Sequence, residues 1–222
     1  MSNGWGAKLI SFIGPPAAGK TTAAQWLSRE LAAELLLEDY AGNPFLSDSY
    51  RGSEAARLPG QLYFLMSRVT QLSTAAWPAA GLRISDYAYC QDRIFARLRL
   101  SADEQALYEQ LAARLDGLVH PPDAVVHLDA AEATLLERIA LRGRPFERAI
   151  TPKFLATMRH AYETAAAAAA CPVIRVDCDA VDLRQPASQA WLLKELSAAG
   201  VTAAPQAAPA AAAPPRQATA PK

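Results

Sequence analysis

Eight residues near the N-terminus, Gly14-Pro15-Pro16-Ala17-Ala18-Gly19-Lys20-Thr21, fit the pattern G-x-x-x-x-G-K-[ST] at every fixed position. The pattern makes a phosphate-binding loop. Its glycines let the backbone turn tightly so that successive amide N–H groups point at phosphate oxygens, the lysine brings a movable positive charge to the β- and γ-phosphates, and the threonine hydroxyl can ligate Mg²⁺. Gly14, Ala17, Ala18, Gly19, Lys20, Thr21 and Thr22 are therefore expected to hold a nucleoside triphosphate, with Thr21 as the metal-ligating hydroxyl.

A loop that binds triphosphate leaves the acceptor open, and the other chemistry-bearing residues must supply it. Phosphoryl transfer needs a carboxylate within hydrogen-bond reach of the acceptor oxygen and cations around the group in transit. Glu38 and Asp39 both follow the apolar run Leu35-Leu36-Leu37, and Asp86 closes the strand-like stretch 81–86. Gln61 and Arg68, seven apart, fall on nearly one face of a helix. Arg138 and Arg142, four apart, share a face of another, and the basic segment 142–148 cannot continue that helix through Pro145, so it reads as a mobile loop.

These residues need strands and helices that bring them to one place. Residues 8–13 read as a buried strand entering the loop, and residues 21–33 as an amphipathic helix leaving it, its positive end toward the phosphates. Leu35-Leu36-Leu37 can finish that helix or form a second strand, and the polar, turn-rich residues 38–46 favour a strand that delivers Glu38 to its C-terminal end, where open α/β sheets bind ligands. Further strands are expected at 81–86, 124–128 and 172–177. Helices are expected at 59–76, around Ile94 and Leu98, after the capping box Ser101-Ala102-Asp103-Glu104, at 131–141, from Thr151-Pro152 into the alanine run 165–170, and at 188–198. This alternation predicts an α/β protein with a parallel five-stranded sheet flanked by helices, the three-layer architecture of a P-loop kinase, over residues 1–199. From residue 200 to 222 the chain is nearly all Ala, Pro, Gln and Thr and is expected to be a disordered tail.

Composition narrows the partners. Twenty-two basic residues balance twenty-two acidic ones, so no excess positive field argues for nucleic acid or an anionic membrane surface. The chain has no run of about eighteen apolar residues and no charged-then-apolar leader, and a cytoplasmic location is expected. Cys90, Cys171 and Cys178 are odd in number with no C-x-x-C pair, which argues against a disulfide framework or zinc site, and are expected to be mostly buried thiols. His120, His127 and His160 show no ligand spacing and are expected to be structural.

Taken together, the phosphate loop, Glu38-Asp39-Tyr40 with Asn43-Pro44-Phe45-Leu46, Tyr50, Gln61 with Arg68, Ser85-Asp86-Tyr87, Ile94-Phe95-Ala96 and Arg138 with Arg142-Gly143-Arg144 resemble the deoxynucleoside kinase family over nearly the whole chain up to about residue 198. The resemblance implies transfer of the ATP γ-phosphoryl group, with Mg²⁺, to the 5′-hydroxyl of a deoxynucleoside. By it, Glu38 is the base, Arg142 and Arg144 are lid arginines that close over the phosphates, Arg138 leads into the lid, and Asp86 orients metal-bound water. Gln61 reads the nucleobase with Arg68 in support, Phe95 stacks on the base, and Tyr50 and Glu147 take the sugar 3′-hydroxyl. A homodimer, through the helices after the second and third strands, is also implied.

Three departures from the family pattern bear on the pocket. Ala56 and Gly60 stand where many members carry aromatic residues, so the pocket is either wider or walled by Tyr63 and Phe64. Ser85-Asp86-Tyr87 replaces an acidic-Arg-Ser motif, which removes a positive charge from beside the 5′-hydroxyl. Counting back from Phe95 sets Gln91 against the base, and counting forward from Asp86 sets Asp92 there. The base preference stays open at this level, and two other readings remain beside the leading one: a P-loop kinase of another small hydroxyl acceptor, and a catalytically impaired nucleotide-binding regulator.

Overall fold

The computed structural model describes residues 7–202, and the six residues before and most of the 200–222 segment lie outside them. Five parallel strands form one sheet: β1 (Lys8–Ile13), β2 (Glu34–Leu36), β3 (Leu82–Ser85), β4 (Ala124–Asp129) and β5 (Val173–Asp177), in the order β2-β3-β1-β4-β5. The sheet is the expected one. β1 lies at its centre, with Ile10 opposite Ile84 of β3 and Ala124 of β4. The chain leaves β1 toward β2 on one side and later crosses to β4 on the other, so the end of β1 is a topological switch point, where such sheets open a crevice.

Alternation along β1 divides the core between two faces. Ile10 and Phe12 pack with Leu27 of α1 (Lys20–Glu30) and with Leu192 and Leu196 of a C-terminal helix. Leu9 packs on the opposite face with Leu65 of α3 (Arg57–Gln71) and Tyr108 of α5 (Ala102–Leu115), and Ile13 with Met158 and Tyr162 of α7 (Pro152–Ala167). The remaining helices are α2 (Leu46–Tyr50), α4 (Cys90–Arg99), α6 (Glu132–Arg142) and α8 (Pro186–Ala198). Helices on both faces make the three layers.

The boundaries differ from the sequence reading where local chemistry was hidden. α1 stops at Glu30 because Ala32 adopts a left-handed φ of 48° and Ala33 N–H returns to Ser28 O at 2.9 Å, a Schellman ending with alanine where glycine is usual. α3 begins at Arg57, two residues before Pro59, since the third helical residue also has a free N–H and tolerates proline; it ends at Gln71, and residues 74–76 form a separate 3₁₀ turn. α2 begins at the last residue of the turn-rich stretch 38–46 and runs through residues for which no element was expected. Segment 142–148, read as a mobile loop, is capped by Gly143 at φ 67° and then folds into a 3₁₀ turn, Pro145–Glu147, with Glu147 buried. Val201 is buried against the main core, so the packed body runs past residue 199. The cysteines correct the expectation of burial: Cys90, at the first residue of α4, is exposed, and Cys171 and Cys178 are half-buried.

Candidate active site

The loop between β1 and α1 is held open by its backbone. Gly14 has φ 140°, and a Cβ there would fall 2.0 Å from Leu128 O, so the strand β4 backbone presses directly on the loop. Ala17 at φ 64° and Gly19 at φ 102° turn the chain so that α1 begins at Lys20 with its free N–H groups toward the crevice. Ala18 is buried beneath. Lys20 Nζ folds back to donate to Gly14 O at 2.7 Å and Pro15 O at 3.0 Å. Burial pushes its ammonium down to about 8, against the pull of Asp86.

From this loop a chain of contacts leads to the expected base. Thr21 Oγ1 donates to Asp86 Oδ2 at 2.5 Å, and the Glu38 backbone N–H donates to Asp86 Oδ1 at 2.9 Å. Asp86 is buried at the end of β3, which raises its pKa, while the Thr21 bond and the charges of Lys20 and Arg68 oppose that rise. The Glu38 carboxylate is covered too: Arg68 Nη2 donates to it, and Gln91 Nε2 approaches its two oxygens at 3.3 and 3.5 Å. Asp39, the rival carboxylate, turns away, accepting from Tyr63 OH at 2.5 Å and from the Gly42 amide at 2.8 Å. Glu38 lines the cavity and Asp39 does not.

A cavity of about 210 Å³ gathers most of the residues singled out in the sequence. Lys20, Thr21, Thr22 and Asp86 stand at the phosphate end with Glu38; Gln61, Arg68, Gln91 and Phe95 come from α3 and α4; Tyr50 comes from α2; Arg138, Arg142, Arg144 and Glu147 come from α6 and the turn after it. Arg142 holds Glu147 with two bonds, Nε to Oε2 at 3.0 Å and Nη2 to Oε1 at 2.5 Å. Arg144 lies over the Tyr40 ring at 5.2 Å. On the other side of the loop a second cavity, of about 460 Å³, is lined by Ala17, Ala18, Gly19 and Thr22 together with Trp26 and Arg138. Arg138 spans both cavities and donates to Cys178 O at 3.0 Å.

One residue of the expected substrate-binding set lies elsewhere. Asp92 is fully buried behind the cavity and does not line it. Arg68 Nη1 donates to it, Gln61 Nε2 donates to its Oδ1 at 2.5 Å and its backbone oxygen at 3.0 Å, and Tyr108 OH donates to Oδ2 at 2.7 Å. A ligand in the cavity thus meets Gln91 directly and Asp92 only through Gln61 and Arg68. The helical register explains it: Gln91 and Phe95, four apart on α4, face the cavity, and Asp92 faces α3 and α5.

Tyr40, Phe64, Arg99 and Phe146 also line the cavity, and of these Arg99 and Phe146 were assigned no role from the sequence. Arg99 lies over the Tyr50 ring at 3.9 Å and donates to Ser49 O and Oγ at 3.0 and 2.9 Å, and the Phe146 ring meets Tyr50 at 5.2 Å. The signal for Arg99 was its spacing, four after Phe95 and eight after Gln91 on one face of α4. Tyr63, proposed as an alternative wall, does not line the cavity, whereas Phe64 does.

A family model described as deoxynucleoside kinase matches residues 10–197. The chain is 31% identical over 162 residues to a deoxyguanosine kinase of Bacillus subtilis (strain 168), covering 72% of this chain and 78% of that protein. It is 30% identical over 158 residues to a deoxyadenosine kinase of Dictyostelium discoideum, covering 69% of this chain and 64% of that protein. Among solved structures, deoxyadenosine kinase from M. mycoides with bound dATP superposes with a TM-score of 0.73 at 23% identity, over 86% of this chain and 99% of that one, a likeness of fold.

Proposed function

The chain belongs to the deoxynucleoside kinase family, and from that premise we propose that Glu38 is the base for phosphoryl transfer to a deoxynucleoside 5′-hydroxyl. The acceptor oxygen forms a bond to the γ-phosphorus of ATP, the bond from that phosphorus to the β–γ bridging oxygen breaks to leave ADP, and the hydroxyl proton passes to the Glu38 carboxylate. One observation carries this reading: Glu38 and the phosphate-loop residues Lys20 and Thr21 border one cavity, with Asp86 bridging Thr21 and Glu38 through its two oxygens.

The remaining residues take roles that follow from their chemistry. Lys20 exchanges its loop carbonyls for phosphate oxygens, and Arg142 and Arg144 supply charge to the group in transit as the turn 142–147 draws in, with Arg138 toward the donor cavity. Tyr50 and Glu147 hold the sugar 3′-hydroxyl, while Phe95 stacks on the base. Gln61, whose amide protons are both engaged by Asp92, offers its amide oxygen to a base N–H.

Thr21 Oγ1 and the Asp86 carboxylate offer the hard oxygen chemistry that Mg²⁺ prefers, and among the described residues no cluster of three or more His, Cys, Asp or Glu forms a dedicated metal cage. That suits an ion held mainly by triphosphate and water, with Thr21 as protein ligand; when bound, it neutralises charge on the phosphates.

The protein works in the cytoplasm as a homodimer in this reading. Support for the dimer comes from Met66 of α3 with Leu107 and Leu111 of α5, exposed apolar residues on two helices that pack together.

The test is a Glu38→Gln variant, assayed with ATP and each of the four deoxynucleosides. ATP affinity is expected to stay unchanged while turnover falls about a hundredfold or more. Full turnover would remove Glu38 from the role.

A further inference from the structure

Ser85-Asp86-Tyr87 stands where many family members carry an acidic-Arg-Ser motif, so that motif supplies no cation beside the acceptor hydroxyl. The structure supplies one from another element. Arg68, on α3, extends Nη2 to the Glu38 carboxylate and Nη1 to Asp92, and all three side chains are nearly sealed from solvent, at 3%, 5% and 1% exposure respectively. We infer that Arg68 is the positioning residue for Glu38, standing in for the missing motif arginine and tying the base-reading side of the pocket to the proton acceptor.

Three observations support this assignment. Arg68 borders the same cavity as Glu38, so the ion pair lies at the reacting end of the pocket. Its guanidinium sits over the rings of Tyr87, at 5.7 Å, and Phe64, at 5.4 Å. Tyr87, which occupies the replaced motif, therefore helps hold the arginine that takes over, and it is fixed by its own bond to Gln71 Oε1 at 2.8 Å. Finally, Asp92 receives both Arg68 and Gln61, so a base that moves the Gln61 amide acts on the same carboxylate that anchors Arg68.

A guanidinium fork locked between two carboxylates fixes its partner in angle as well as distance, which an ammonium does less well. With Arg68 in place, the Glu38 carboxylate is held between Arg68 and Gln91 at the wall of the cavity. Without it, only Gln91 and the backbone bond to Asp86 restrain Glu38.

The inference rests on Glu38 being the base, and a double-mutant cycle separates the two. Turnover of deoxyguanosine and deoxyadenosine is measured with radiolabelled ATP for the unaltered protein, Arg68→Met, Glu38→Gln and the double variant, with Arg68→Lys alongside. Arg68→Met is expected to lower kcat about ten- to a hundredfold, to cost less than about twofold more in the Glu38→Gln background, and to be partly rescued by Arg68→Lys. An equal loss in both backgrounds, or a rise in KM with kcat unchanged, would overturn the assignment. Full turnover by Glu38→Gln would defeat the base reading and the inference with it, whereas a slowed but measurable Glu38→Gln with additive Arg68→Met defeats the inference alone. If Arg68→Met does not fold, because Asp92 is left buried without its cation, Arg68→Met/Asp92→Asn carries the same cycle with both charges removed.

Discussion

Thr21 Oγ1 donates to Asp86 Oδ2 at 2.5 Å, which joins the first turn of α1 to the end of β3 across the mouth of the phosphate loop. The second Asp86 oxygen takes the Glu38 amide at 2.9 Å, so one carboxylate aligns the Thr21 hydroxyl and the backbone of the proposed base. Asp86→Asn keeps the shape, but with its oxygen toward the Glu38 amide its N–H₂ group must donate to Thr21 Oγ1, which reverses that bond and occupies a hydroxyl lone pair that a metal would use. Turnover is expected to fall about tenfold to a hundredfold, and the Mg²⁺ concentration for half-maximal rate to rise. A magnesium titration at fixed ATP checks this, and an unchanged curve would separate Asp86 from the metal.

Gly14 and Gly42 make a paired test of backbone crowding. A Cβ on Gly14 would lie 2.0 Å from the Leu128 carbonyl oxygen, at a φ of 140°, and neither β4 nor the loop can give way cheaply. A Cβ on Gly42 would fall 2.1 Å from Asp39 Oδ2 and 2.2 Å from Tyr63 OH, both ends of side chains that can swing aside. Gly14→Ala is expected to cost about 3 kcal/mol or more and to abolish ATP binding, and Gly42→Ala about 1 kcal/mol. Denaturant unfolding of both variants reads the difference. Equal costs would mean that the Gly14 contact relaxes.

Much of this was legible in the chain, for physical reasons that differ by feature. The phosphate loop could be read because its fixed residues are dictated by backbone geometry and phosphate charge, and the strands because each is a short segment with apolar residues at core positions, bounded by turn chemistry. The two-residue ambiguity at Gln91 and Asp92 could not be resolved from spacing, since it depends on how α4 is rotated against α3. The ending of α1 was hidden because alanine, at Ala32, adopts a conformation that glycine usually signals. Arg68 was read as support for Gln61, and its second contact, with Glu38, joins residues thirty positions apart that no local pattern relates.

The C-terminal limit of the packed body can be located by two truncations. Val201 is 4% exposed within the main core, and Lys8 Nζ donates to Gly200 O at 2.5 Å. A chain ending at Thr202 keeps both contacts, and one ending at Gly200 loses the Val201 side chain. The shorter chain is expected to be about 1–2 kcal/mol less stable than the longer, with equal turnover well below the melting temperature. Thermal melting of the two side by side measures it, and identical midpoints would place the boundary before Val201.

His127 sets a pH dependence of stability. It lies on β4 at 3% exposure, its Nδ1 is 3.5 Å from Glu163 Oε2, and its buried Nε2 has no hydrogen-bond partner among the described residues. Burial lowers its pKa from the ordinary 6.5, Asp129 and Glu163 pull it back up, and Arg175 and Lys20 add to the lowering. Between the lowered folded value and 6.5 the unfolded chain binds a proton that the folded chain refuses. The contribution to stability is therefore full above 6.5 and is lost as the pH falls below it. His127→Val removes the titrating group and suits the strand, and Glu163 keeps its 3.0 Å bond from Arg175. The drop in melting temperature from about pH 7.5 to about pH 5 is expected to be smaller in the variant than in the unaltered protein. An equal drop would show that other groups govern acid unfolding.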